Sequence, residues 1–176
     1  MRRVIFTYGI ISGTIVILSM MFGILAGGSQ SFWASEFFGY LIMLIALSMI
    51  FVGVKKIRDE SMGGVIKFWS ALGAGLAIAA IAGVMYVAIW QIYLTVTDYA
   101  FIHNYTADII AQRTADGLSG PALEKLIAEM EALKADYGKF YIRLPMTFLE
   151  IFPVGVLISI ISAAVLRNPK AFPARS

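Results

Sequence analysis

Residues 68–94 read FWSALGAGLAIAAIAGVMYVAIWQIYL, 27 positions without one Asp, Glu, Lys or Arg. A helix of that length rises about 40 Å at 1.5 Å per residue. The hydrocarbon core of a bilayer is about 30 Å thick. The stretch therefore predicts a membrane-spanning helix, and its reading decides the fold. Working outward, residues 4–25, 37–54 and 144–166 form three more apolar runs. All are continuous, without the period-two alternation of a membrane β-barrel. The first follows Arg2 and Arg3, as in a signal peptide, but it exceeds a signal's apolar stretch and is expected to be an uncleaved helix. The expected fold is all-α: an integral membrane four-helix bundle, one membrane domain over residues 1–176, with a helical insertion outside the membrane at residues 95–143.

Composition agrees. Of the 176 residues, 60% are hydrophobic and 14% charged, and the mean hydropathy is +0.83. A soluble domain of this size cannot hide so much apolar side chain; a bilayer can. Cysteine is absent, which excludes a disulfide framework and thiolate chemistry. The net charge of +3 is what Lys and Arg flanking membrane spans produce. No basic stripe with interleaved aromatics points to nucleic acid.

Those charges set an expected direction. Arg2, Arg3, Lys55, Lys56, Arg58, Lys67, Arg167, Lys170 and Arg175 fall on one side. The loop at residues 26–36 has no Lys or Arg. The five remaining basic residues are spread over residues 95–143 among seven acids. The positive-inside rule then places both termini and the basic loop in the cytoplasm. In the outer segment, Ser119-Gly120-Pro121 predicts a helix start. Leu123, Leu126, Ile127, Met130, Leu133 and Tyr137 continue it as one apolar stripe, and Gly138 ends it. A shorter helix is expected at residues 106–115. The pair is expected to form a hairpin over the outer mouth of the bundle.

Helices in lipid associate by close packing of small residues. Gly9 and Gly13 in the first span, Gly75, Ala79 and Gly83 in the third, and Gly155, Ser159 and Ala163 in the fourth recur at four-residue steps. This spacing leaves open whether they pack within one chain or between chains. Tyr86, Trp90 and Tyr93 continue the small-residue face of the third span.

Glu150 is the only charged residue within the four runs. It lies roughly 9 Å below the start of its span, where a carboxyl group needs a polar partner or water. Pro153 follows; lacking an N–H, it deprives the Leu149 carbonyl of its helical partner. A helical wheel puts Gly155, Ser159 and Ser162 roughly 120–180° away from Glu150. If the small stripe packs against one helix, Glu150 is expected to face a second contact. Tyr86 and Trp90 are the first candidates to meet it, with Gln91 and Tyr40 behind them. The site reads as hydrogen-bonded packing glue or as a proton- or cation-linked position. His103 is the sole histidine, so no His-pair metal site exists, and no nucleotide or nucleophile-elbow motif occurs. The sequence supports no cofactor and no enzyme.

Three blocks carry a family resemblance: residues 39–48 running into 51–59, then Trp90-Gln91-Ile92-Tyr93, then Met146-Thr147-Phe148-Leu149-Glu150-Ile151-Phe152-Pro153-Val154-Gly155. Their order and spacing resemble the bacterial membrane proteins of domain-of-unknown-function family 4199, over nearly the whole chain. The resemblance implies four spans, a helical outer insertion and a bacterial cytoplasmic membrane, and it implies no activity. Gln91 stands where the resemblance implies an acid beside the Trp, which removes a second intramembrane carboxyl. The expected function is a non-enzymatic structural or partner-binding membrane subunit, in contact with lipid and with a second copy or another membrane protein. The alternative is a small oligomeric transporter or channel with Glu150 in its pathway.

Overall fold

Helix propensity and lipid solvation both favour internal backbone hydrogen bonding, and the chain obeys. The computed structural model describes residues 1–26 and 36–173. The loop at residues 27–35 and the last residues, Arg175 among them, lie outside that description. Among the described residues every regular element is helical. The order is α1 (Arg2–Ala26), α2 (Glu36–Leu47), α3 (Met49–Lys56), a π-helical turn (Ile57–Ser61), α4 (Phe68–Val96), α5 (Ala100–Ala115), α6 (Pro121–Gly138) and α7 (Phe140–Leu166). Four helical stretches are long and apolar enough to cross a membrane: Arg2–Phe22, Phe37–Ser61, Phe68–Val96 and Phe140–Leu166.

The boundaries differ from the sequence reading in instructive ways. The second span continues past residue 54, through both lysines, to Ser61. It tightens at Ser48, whose hydroxyl donates to the Ile45 carbonyl at 2.6 Å and competes with the helical ladder. The fourth span begins at Phe140, not 144, so Arg143 lies in its first turn. It also runs unbroken through Pro153, where the missing N–H predicts a break. The shorter outer helix starts at Ala100, not 106. Its N-cap is Tyr99, with φ +58° and no side-chain capping bond, so no capping signal marks the start.

The chain folds as two compact units. The first comprises Met1–Val87 and Phe148–Ser176. Its core takes Val16 from α1, Met43 and Leu47 from α2, and Ile50 and Val54 from α3. Ile78 and Ala82 of α4 and Ile151 and Leu166 of α7 complete it. Small residues set the helix spacing. A Cβ added at Gly9 would lie 2.7 Å from Ile81 side-chain atoms, and one at Gly13 would lie 3.0 Å from Met85. One at Gly75 would lie 2.8 Å from Ser159 Oγ, and one at Gly155 would lie 2.7 Å from the Ala79 Cβ. The stripes in α1, α4 and α7 are therefore used inside one chain, which resolves what their spacing left open.

The second unit is Ala88–Thr147. Here α5 and α6 pack as a hairpin across a turn that needs positive φ at Gly117 (+93°) and Gly120 (+60°). The predicted stripe of α6 is half-buried at Leu123, Leu126, Met130 and Leu133 and buried at Tyr137, while Ile127 is exposed.

Candidate functional site

The two faces of α7 separate as the helical wheel requires. Ile151, Gly155, Ser159, Ser162, Ala163 and Leu166 are buried. Glu150, Pro153, Leu157, Ile160 and Ile161 lie on the opposite side and are exposed. The Tyr86 hydroxyl of α4 donates to Glu150 Oε2 at 3.4 Å. Tyr86 itself is only 6% exposed, so a buried phenol reaches outward to a carboxyl group on the surface of the span. The expectation that Glu150 meets Tyr86 therefore holds. Among the described residues, the same face below Glu150 is left open: Leu157 and Ile161 are 54% and 51% exposed.

The other candidates are used elsewhere. Trp90 Nε1 donates to the Tyr137 hydroxyl at 2.7 Å, at the buried base of the α5–α6 unit. Trp90 also stacks on Tyr93 and meets Phe101 edge-on. Gln91 Oε1 accepts from Arg143 Nε at 2.9 Å. Tyr40 lies exposed on α2. Pro153 shares the exposed face of Glu150. Among the described residues, no group of three His, Cys, Asp or Glu side chains converges as a metal site.

Two arginines that sequence reading counted only as topology charges are buried. Arg143 is 3% exposed. Besides Gln91, it donates through Nη1 to the Tyr137 carbonyl at 2.8 Å and through Nη2 to the Tyr99 hydroxyl at 3.4 Å. Tyr137 and Gly138 end α6, so the guanidinium meets the negative end of a helix dipole. The Tyr99 ring lies 4.9 Å from its carbon, a cation–π distance. Asp98 and Tyr99 hold left-handed backbone, φ +49° and +58°, which is costly for residues with a side chain. Contacts of Arg143 with the Tyr99 ring and hydroxyl help hold that turn.

Arg58 is fully buried in the π-helical turn. Its Nε donates to Asp59 Oδ1 at 2.7 Å, and its two terminal nitrogens donate to the Ala171 and Phe172 carbonyls. The Phe172 ring meets Phe51 edge-on at 5.4 Å. The segment after α7 is thereby fastened to the end of the second span. Nothing in the sequence spacing of residues 58 and 171 announces this, because the contact bridges 113 positions.

Compared with known proteins, no curated protein and no solved structure matches the chain. A family model described as "protein of unknown function" matches residues 7–168, which include all four spans' cores, Glu150, Arg58 and Arg143. That match covers most of the chain, and the protein belongs to the DUF4199 family.

Proposed function

We propose that this membrane protein is a non-enzymatic, partner-binding subunit of a bacterial cytoplasmic membrane, with both termini in the cytoplasm. The observation that carries the reading is the exposed carboxyl group of Glu150 on the outer face of α7. An acid on the lipid-facing side of a span costs at least a few kcal/mol. Covering Glu150, Leu157 and Ile161 with a second helix removes that cost while burying apolar surface. The small-residue stripes are consistent with the same reading, because they are used within the chain and do not supply the contact with a partner. The charge asymmetry supports the orientation, with nine basic residues at the proposed cytoplasmic side.

A photo-crosslinking residue at position 157 tests the proposal in intact membranes. A discrete protein adduct is expected, retained in Glu150→Gln, whose amide still hydrogen-bonds, and lost in Glu150→Leu. Adducts with lipid alone would overturn it. The alternative, a small oligomeric transporter, rests on the same carboxyl group. Reconstituted into vesicles, a transporter would carry a proton or cation flux that Glu150→Gln abolishes; the subunit reading expects no such flux.

A further inference from the structure

The second span ends in an open depression of the surface, lined by charged and apolar side chains, that none of the preceding argument uses. Lys55 and Lys56 close α3, and Asp59 and Glu60 follow in the π-helical turn. These four side chains, together with Val52 and Tyr8 of α1, line a depression of about 260 Å³. Gly53 lets α1 come close beside it. A Cβ there would stand 3.0 Å from Tyr8 Cβ and Cγ, so only glycine lets α1 lay this tyrosine against α3. The two ion pairs of the lining are unequal. Lys55 Nζ meets Asp59 Oδ2 at 2.6 Å, with side chains 31% and 16% exposed. Lys56 Nζ and Glu60 Oε1 are 3.4 Å apart, with side chains 44% and 59% exposed. An open pair of that kind is worth little in itself.

The charge pattern selects the ligand. A simple anion would take Lys56 and leave Glu60 unpaired, and a simple cation would do the reverse. A molecule with a phosphate followed by an amine exchanges the open pair for two new ones and leaves Lys55–Asp59 shut. The depression also sits at the end of a membrane span, at the level where side chains meet lipid headgroups, and its two lysines and two acids leave it formally neutral, as a zwitterionic headgroup is. We propose that it binds the headgroup of an amine-bearing zwitterionic phospholipid, with the phosphate on Lys56, the primary ammonium on Glu60, the Tyr8 hydroxyl as a further donor, and the glycerol end against Val52. A primary ammonium offers three N–H donors to Glu60. A quaternary amine offers none, so the same geometry discriminates against choline lipids. The proposal is independent of Glu150 and of any protein partner.

Native mass spectrometry of the full chain tests it, with phosphatidylethanolamine, phosphatidylglycerol and phosphatidylcholine of equal acyl length supplied in equal amounts. Ethanolamine lipid is expected to be retained about threefold over the other two, a selectivity of less than one decade. Glu60→Gln is expected to erase the preference for ethanolamine over choline. Lys56→Gln is expected to lower retention of ethanolamine and glycerol lipids alike. Both side chains are exposed, so melting is expected to stay close to that of the parent; should Lys56→Gln fail to fold, Glu60→Gln decides alone. Equal retention of the three lipids overturns the proposal, as does an unchanged preference in Glu60→Gln. Displacement of bound lipid by soluble phosphoethanolamine at equal concentration also overturns it, because the depression would then serve a free metabolite.

Discussion

Two buried guanidinium groups, each aimed at backbone carbonyls, hold this protein at points where its helices end. Arg143 meets the last carbonyls of α6, and Arg58 meets the carbonyls of Ala171 and Phe172. Arginine suits the task because its fork presents five donors in a fixed plane, whereas a lysine ammonium is a single point. Arg143→Lys is expected to lose the simultaneous bonds to Gln91 and α6, at a cost of about 1–3 kcal/mol for acceptors left without a donor. Hydrogen exchange should show the loss as faster amide exchange concentrated in residues 88–147. Arg58→Ala removes three charge-assisted bonds, each worth about 1.5–3 kcal/mol. The expected result is release of the segment after α7, read as new protease sensitivity near Asn168–Phe172, together with a lower melting temperature in detergent. Neither role was legible in the sequence. A Lys or Arg beside a span reads first as a topology signal, and only folding decides whether its side chain turns toward solvent or toward a carbonyl.

At the level of elements, the same glycine means different things on different faces. Gly155 and Gly73 both lie inside span helices. An added methyl at Gly155 meets the Ala79 Cβ at 2.7 Å, and one at Gly73 meets nothing within 4 Å. Gly155→Ala must separate α7 from α4 and is expected to destabilise by about 1–3 kcal/mol. Gly73→Ala adds helix propensity without a clash and is expected to stabilise by about 0.5–1 kcal/mol. Thermal unfolding of the two variants in one detergent, side by side, checks the difference in sign. Helix ends were the other place where sequence and structure parted. α4 runs to Val96 and α7 begins at Phe140 because the residues there remain helical after the apolar run stops. A hydropathy reading stops at the polar residue; the backbone does not, provided that residue's side chain finds a partner, as Arg143 does.

For the whole molecule, the charge asymmetry predicts an orientation that experiment can read. Reporter fusions after Gly63 are expected to be active only as cytoplasmic reporters, and fusions after Gly120 only as external ones. A cytoplasmic signal at Gly120 would refute the orientation. The sequence alone determined that the chain is helical and membrane-spanning. Four apolar runs have no other solvent, and lipid demands that every backbone group be paired within its own helix. It also singled out Glu150 and put Tyr86, together with Trp90, first among its candidate partners, because an isolated acid in an apolar span has few polar groups at its depth; the structure gives the contact to Tyr86. Only the tertiary structure decided that the small-residue stripes pack within one chain, that Trp90 and Gln91 pair with Tyr137 and Arg143, and that Arg58 reaches residues 171 and 172. The reason is physical. Solvent preference is a property of each segment and can be summed along the chain. The partner of a polar side chain depends on which helices lie beside it and how each is rotated, and no single segment contains that information.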